Sequence, residues 1–278
     1  WGRGILPNQK VFFRVSLDRW LSNFKSREEK LLSAILLDSL ISRSSAQTTS
    51  LLTSAIESSI SQAIYKNPKE IFEGKDFLQI LTSKNISKEI RIVPVIRDQD
   101  PPTKSGPSIA RMYRRQLGLN EENMIWPWLI QENIEAGVRT FIFIDDVLAT
   151  GNQASEFFRH INILDYSEDI EFSYIPLLAH QDGLNRIKTD FPRINICAVE
   201  EVSNENSLFK SERFCKIHDL EELYLEVAET HLNKRLFKKM AKGYDDLALT
   251  FSYYHATPNA TLPLYWYESE DFHPLVKR

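Results

Sequence analysis

Asp145 and Asp146 stand side by side at the end of the apolar run Phe141–Ile144, and the chain continues as VLATGNQ, Val147 to Gln153, before a helical pattern begins. Two carboxylates at the end of a buried strand are acceptors for hydroxyl groups, because ligands of open α/β sheets sit outside the carboxyl ends of the strands. The turn and helix start that follow offer backbone N–H groups to an anion. Hydroxyl acceptors a few residues from phosphate donors suit a ribose 5′-phosphate. The plain alternative is an aspartate capping the turn, with Thr150-Gly151 as ordinary turn chemistry.

A second strand–loop–helix pattern, RIVPVIRDQDPPTKSGPSIARMYRR, brings Ser105 and Gly106 to a helix start, with Lys104 and Arg97 adding charge. Ser-Gly-Pro before a helix is also common capping. His180, Asp182 and Gly183, in AHQDG, follow another strand end, where an acceptor base or leaving group would sit. His255, Thr257 and Asn259 cluster after the last long strand pattern, in a Pro-Asn context that also makes turns. Of nine glycines, Gly118 and Gly137 are expected to close helices and Gly74 to lie in a loop; Gly106 and Gly151 fall between a strand and a helix, where backbone meets phosphate.

The elements that must position these residues follow from periodicity. Trp20 to about Lys66 reads as helical, with Leu31, Leu32, Ile35, Leu36 and Leu40, then Leu51, Leu52, Ala55, Ile56 and Ile60, at helical spacing. The polar SRSSAQTTS between them predicts a break between two packed helices. From Arg91 the pattern alternates: RIVPVI a strand, PSIARMYRRQLG and WLIQENIEAG helices, TFIFID a strand, NQASEFFRHINIL a helix, IEFSYIPLLA a strand, GLNRIKTDF a short helix, RINICAVEEV a strand. LEELYLEVAETHLNKRLFKKMAKG predicts one long helix, LALTFSYYH a strand, and LPLYW a short extended piece. The expected fold is α/β, a mostly parallel sheet with helices on both faces. It is read as one domain over 1–278, with a helical N-terminal part (1–75), a core (76–205) and a helix-plus-strand cap (206–278).

Composition sets the outer bounds. The 278 residues are 42% apolar and 26% charged, with a formal net charge of -4, which predicts a soluble globular protein without a nucleic-acid binder's overall basic footprint. HLNKRLFKKMAKG is locally basic, read first as a solvated helix face and second as a docking face for nucleic acid or an acidic partner. Trp126 and Trp128 are expected in the core, with an interface anchor as the alternative. Cys197 and Cys215 form no metal spacing, and Cys197 reads as a small buried hydrophobe, which fits a cytoplasmic location. No apolar stretch suggests a membrane partner. The chain opens on Trp1 without a methionine, as a trimmed chain or a piece of a longer one would.

FIFIDDVLATGNQ, Phe141 to Gln153, resembles the signature of type I phosphoribosyltransferases: four hydrophobic residues, two acidic ones, a hydrophobic pair and a Thr-Gly loop ending in Thr or Ser. The resemblance implies that Asp145 and Asp146 hold the ribose hydroxyls of phosphoribosyl pyrophosphate and carry the catalytic role. It implies that Ala149, Thr150, Gly151, Asn152 and Gln153 hold the 5′-phosphate, Ser105 and Gly106 the pyrophosphate, and Mg²⁺ serves as cofactor. His180, Asp182 and His255 are then candidates for the acceptor side or hood. Asn152 replaces a small residue, Gln153 replaces a hydroxyl, and Ser155 follows two residues later. RWLSNFKSREEKLLSAILLDSL, SGPSIARMYRRQLG, HATPNATLPLYW and FHPL are similar to the phosphoribosyltransferase-like proteins of bacterial conflict systems, PRTase-CE, some encoded beside retron reverse transcriptases. That likeness implies an anti-phage effector that binds phosphoribosyl pyrophosphate or a nucleotide and transfers or cleaves a ribose-phosphate unit, with proteins or nucleic acid of a defence system as partners. The alternatives are a non-catalytic nucleotide sensor, which Gln153 favours, and a partner-binding subunit.

Overall fold

A computed structural model describes residues 16–60, 74–101 and 103–278. The elements run α1 (Arg27–Ser39), β1 (Ile41–Arg43), α2 (Ser45–Ser54), α3 (Gly74–Thr82), β2 (Ile90–Pro94), α4 (Ser105–Leu117), α5 (Ile130–Glu135), β3 (Thr140–Leu148), α6 (Asn152–His160), β4 (Glu171–His180), α7 (Gln181–Asp190), β5 (Ile194–Ile196), β6 (Glu200–Val202), α8 (Leu220–His231), α9 (Lys234–Met240) and β7 (Phe251–Tyr253). They form two compact units: the described residues up to Thr48 with Ser203–Arg278, and Thr49–Val202.

The Thr49–Val202 unit holds a parallel sheet in the order β2-β3-β4-β5, with β6 also pairing with β4. Phe141 and Phe143 alternate with Ile142 and Ile144 on β3, and all four are fully buried, so both faces of the strand are covered. On one face Phe143 meets Phe157 and Phe158 of α6 edge-on at 5.5 and 5.3 Å, and Leu184 and Ile187 of α7 join the same core. α4 packs on β2 and β3 through buried Ile109, Met112 and Tyr113, and a π-helical turn, Ala55–Ser59, packs on β4. Gly118 closes α4 in the left-handed region at φ 71°.

The other unit gathers its core from both ends of the chain. Trp20 Nε1 donates to the Leu264 carbonyl at 2.7 Å, and the Tyr265 hydroxyl to the Leu36 carbonyl at 2.7 Å. Asn23 exchanges two hydrogen bonds with the His273 backbone. Ser26 and Glu29 form a capping box that starts α1. β1 and β7 pair in parallel.

Several expectations change. The helical reading of 61–66 lies outside the described residues. The polar break holds a strand, β1, followed directly by α2, because β7 supplies Ile41–Arg43 with a partner that no local pattern announces. Gly74 begins α3 instead of lying in a loop. The expected strand at RINICAVEEV is two short strands, β5 and β6, both on β4. The expected long helix is two, since Asn233 leaves the helix and its Oδ1 accepts from the Leu236 N–H at 2.8 Å, capping α9. LPLYW contains a 3₁₀ turn, Pro263–Tyr265, with proline at its start.

Candidate functional site

Asp145 and Asp146 are the sixth and seventh of the nine residues of β3. The strand runs on to Leu148 because β4 continues beside it, pairing Val147 with Leu178 and Leu148 with Ala179. On the other side β2 ends at Pro94, opposite Ile144, and a last bond joins the Val95 N–H to the Ile144 carbonyl at 3.2 Å. The acidic pair therefore sits at the carboxyl end of the sheet, where one neighbouring strand has stopped.

Strand alternation gives the two acidic residues different exposure. Asp145 is buried, with 3% of its surface exposed, while Asp146 is half-buried. The Tyr174 hydroxyl donates to Asp145 Oδ2 at 3.1 Å, and the Asp146 N–H to Asp145 Oδ1 at 2.9 Å. Tyr174 is held in turn by Phe158, edge-on at 5.3 Å. Burial pushes the Asp145 carboxyl well above the usual carboxylate range, and the neighbouring Asp146 charge pushes the same way. The Tyr174 phenol is also pushed well up, by burial first and then by Asp145. The geometry thus turns Asp145 inward, where burial disfavours its charged form, and leaves Asp146 within reach of solvent.

The loop after β3 turns on Gly151, whose φ of 82° is left-handed and suits glycine. The N-cap of α6 is Gly151, which has no side chain to cap it, and the first N–H groups of a helix have no acceptor within it. Gly183 of α7 lets that helix approach the loop: a Cβ there would overlap the Ala149 carbonyl oxygen. A Cβ on Gly151 would stand 3.1 Å from Arg186 Cδ, so the Arg186 stem passes close over the turn. Arg186 Nη1 donates to Asn152 Oδ1, and Lys104 Nζ donates to Gln153 Oε1 at 3.4 Å. Ser155 is fully buried inside α6, and its N–H donates to the Gly151 carbonyl at 2.8 Å.

The other candidates are placed as follows. Ser105 and Gly106 lie in the first turn of α4, and a Cβ on buried Gly106 would stand 2.8 Å from the Val95 carbonyl oxygen, so close packing on the exit of β2 already requires glycine there. Arg97 is engaged with Asp100 at 2.8 Å and Glu156 at 3.0 Å. His180 is buried, and its Nδ1 accepts from the Asp182 N–H at 3.2 Å, capping α7; Asp182 itself is exposed. His255 belongs to the other unit, where its ring stacks on Tyr253 at 5.2 Å. Thr257 is buried there, and Asn259 Oδ1 accepts from Arg278 at 2.7 Å. Trp126 and Trp128 are not core residues: 43% and 52% exposed, they stack on each other at 5.1 Å, because the 3₁₀ turn Pro127–Leu129 turns both rings outward. Cys197 is half-buried, and burial pushes its thiol up. The basic helix α9 borders a cavity of about 460 Å³ with Arg235, Lys239, Trp266 and Arg278 on its walls.

Three residues of the site were not anticipated. Tyr174 looked like one more aromatic of a buried strand. Gly183 was read only as part of AHQDG, although a glycine in the first turn of a helix is a usable signal of close approach. Arg186 had no sequence signal at all. Among the described residues no group of three His, Cys, Asp or Glu side chains is placed to hold a metal ion, and no helix is long and apolar enough to cross a membrane.

Comparison with known proteins matches residues 17–278 to the family described as PRTase-CE. No curated protein matches the chain. Among solved structures, the AQ2163 protein from Aquifex aeolicus is similar at 15% identity, over 69% of this chain and 84% of that one, with a TM-score of 0.32.

Proposed function

We propose, from the premise that the chain belongs to the PRTase-CE family, that the segment Asp145–Gln153 binds the ribose-phosphate part of phosphoribosyl pyrophosphate or of a nucleotide. One observation carries the reading. A single turn joins a half-buried carboxylate, Asp146, to the N-terminus of α6, whose N-cap is the left-handed Gly151. Asp146 would accept from the ribose hydroxyls, and the first turn of α6 would receive the 5′-phosphate. Asp145, fixed by Tyr174, acts by holding the turn in register. The α4 start at Ser105 and Gly106 is the matching position for pyrophosphate, its N-cap Lys104 making no side-chain cap.

Magnesium usually takes one or two carboxylates plus substrate phosphates, without a protein cage. Asp146, half-buried at the sheet's carboxyl end, is the carboxylate that would meet that need. Bound with pyrophosphate, the metal would neutralise charge on the leaving group. The protein's own part is to orient the sugar and to keep its phosphate fixed while the bond at the anomeric carbon breaks. Within bacterial anti-phage defence the chain would serve as the effector, the role that the sequence resemblance implies.

The test is a titration with phosphoribosyl pyrophosphate and Mg²⁺, followed by a pyrophosphate-release assay, on the wild type, Asp146→Asn and Asp145→Asn/Asp146→Asn. Binding by the wild type and its loss in Asp146→Asn, with the fold kept, is the expected result. Equal affinity in all three would leave the pair as a structural cap. A second reading, a sensor that binds without turnover, is favoured by Gln153 and by the inward placement of Asp145. It expects binding without pyrophosphate release.

A further inference from the structure

Each of the two amides that depart from the signature holds a cation. Asn152 Oδ1 accepts from Arg186, and Gln153 Oε1 accepts from Lys104 at 3.4 Å. The cations come from different elements: Lys104 is the N-cap of α4, and Arg186 lies in the second turn of α7. Both reach the first turn of α6. We infer that Arg186 and Lys104 are phosphate-binding residues of this site, held in place by Asn152 and Gln153 and standing in for the hydroxyl that position 153 lacks. The inference rests on the ribose-phosphate reading of the loop.

The chemistry of the pairs supports it. An amide oxygen orients a cation without cancelling its charge, whereas a carboxylate in the same place would neutralise it. A lysine ammonium has three donors and a guanidinium five, so one bond to an amide leaves others for a ligand. Charge-assisted bonds to phosphate are roughly twice as strong as neutral ones, so two cations more than offset one missing hydroxyl. Asp190 is shared between two arginines, its Oδ2 lying 3.7 Å from Arg186 Nε and 3.0 Å from Arg159 Nη2, and Asp100 pairs with Arg97 at 2.8 Å. The left-handed Gly151 leaves the space through which the Arg186 stem passes. The ligand selected is a phosphate monoester, over the same sugar without its phosphate.

The experiment is calorimetric titration of the whole chain with ribose 5-phosphate and with phosphoribosyl pyrophosphate. The proteins are the wild type, Lys104→Ala, Arg186→Ala, Asp146→Asn and the double variant Lys104→Ala/Gln153→Thr. A melt checks each fold, and Arg186→Gln, which keeps most of the stem over Gly151, replaces Arg186→Ala if that variant unfolds. Each cation removed should weaken ribose 5-phosphate about tenfold, the size of one charged hydrogen bond. Gln153→Thr should restore part of the affinity lost with Lys104. Folded cation variants that bind both ligands as tightly as the wild type, while Asp146→Asn loses them, would overturn the cation assignment and leave the ribose-phosphate reading standing. A wild type that binds neither ligand would overturn both.

Discussion

Tyr174→Phe removes one oxygen from the fully buried side of the acidic pair. In the native protein that hydroxyl donates to Asp145 Oδ2 at 3.1 Å, and both residues are buried. Without it a carboxyl oxygen stays in the core with one partner fewer, which costs about 1–3 kcal/mol. A domain of this size shifts by about 2–4 °C per kcal/mol, so the melting temperature should fall by about 2–12 °C. The effect has a pH signature. Burial and Asp146 raise the Asp145 carboxyl, and the Tyr174 hydroxyl lowers it; removing the hydroxyl raises it further. A carboxyl raised above its unfolded value, about 4, binds more protons in the folded state, so the folded protein loses stability as pH rises above that value. The penalty should therefore be no smaller at pH 8 than at pH 4.5, and it should grow where the wild-type carboxyl begins to ionise. Thermal melts of both proteins at the two pH values measure it. No penalty at pH 8, or a penalty that shrinks as pH rises, would refute the reasoning.

Two further outcomes follow from backbone and packing. Gly183→Ala forces a methyl group against the Ala149 carbonyl, so it should cost about 1–3 kcal/mol and displace the loop, seen as a lower melting temperature together with weaker phosphoribosyl pyrophosphate binding. Asn233→Ala removes the cap between α8 and α9 and should cost about 1 kcal/mol in the melt, with ligand affinity unchanged.

Local rules made much of the Thr49–Val202 unit legible in advance. The runs at 91–96, 140–145 and 170–179 became β2, β3 and β4, because a strand buried on both faces is apolar at most positions. Gly118 and Gly137 adopt the positive φ that a helix end needs. The order strand, acidic pair, Thr-Gly turn and helix is local in the chain, so the candidate loop was visible without coordinates. Long-range partners were not. β1 exists because Ile41–Arg43 pairs with Phe251–Tyr253, more than 200 residues away, and three residues carry no local strand pattern. Trp126 and Trp128 were expected inside, since hydrophobicity alone does not say which way a 3₁₀ turn aims its rings. The sequence by itself determined that two carboxylates stand next to each other before a phosphate-type turn. Only the tertiary structure decided that Tyr174 draws one of them into the core, and that Arg186 and Lys104 converge on the amides beyond the turn. Those contacts join residues 29 to 49 positions apart, and their geometry is set by how α7 and α4 pack on the sheet.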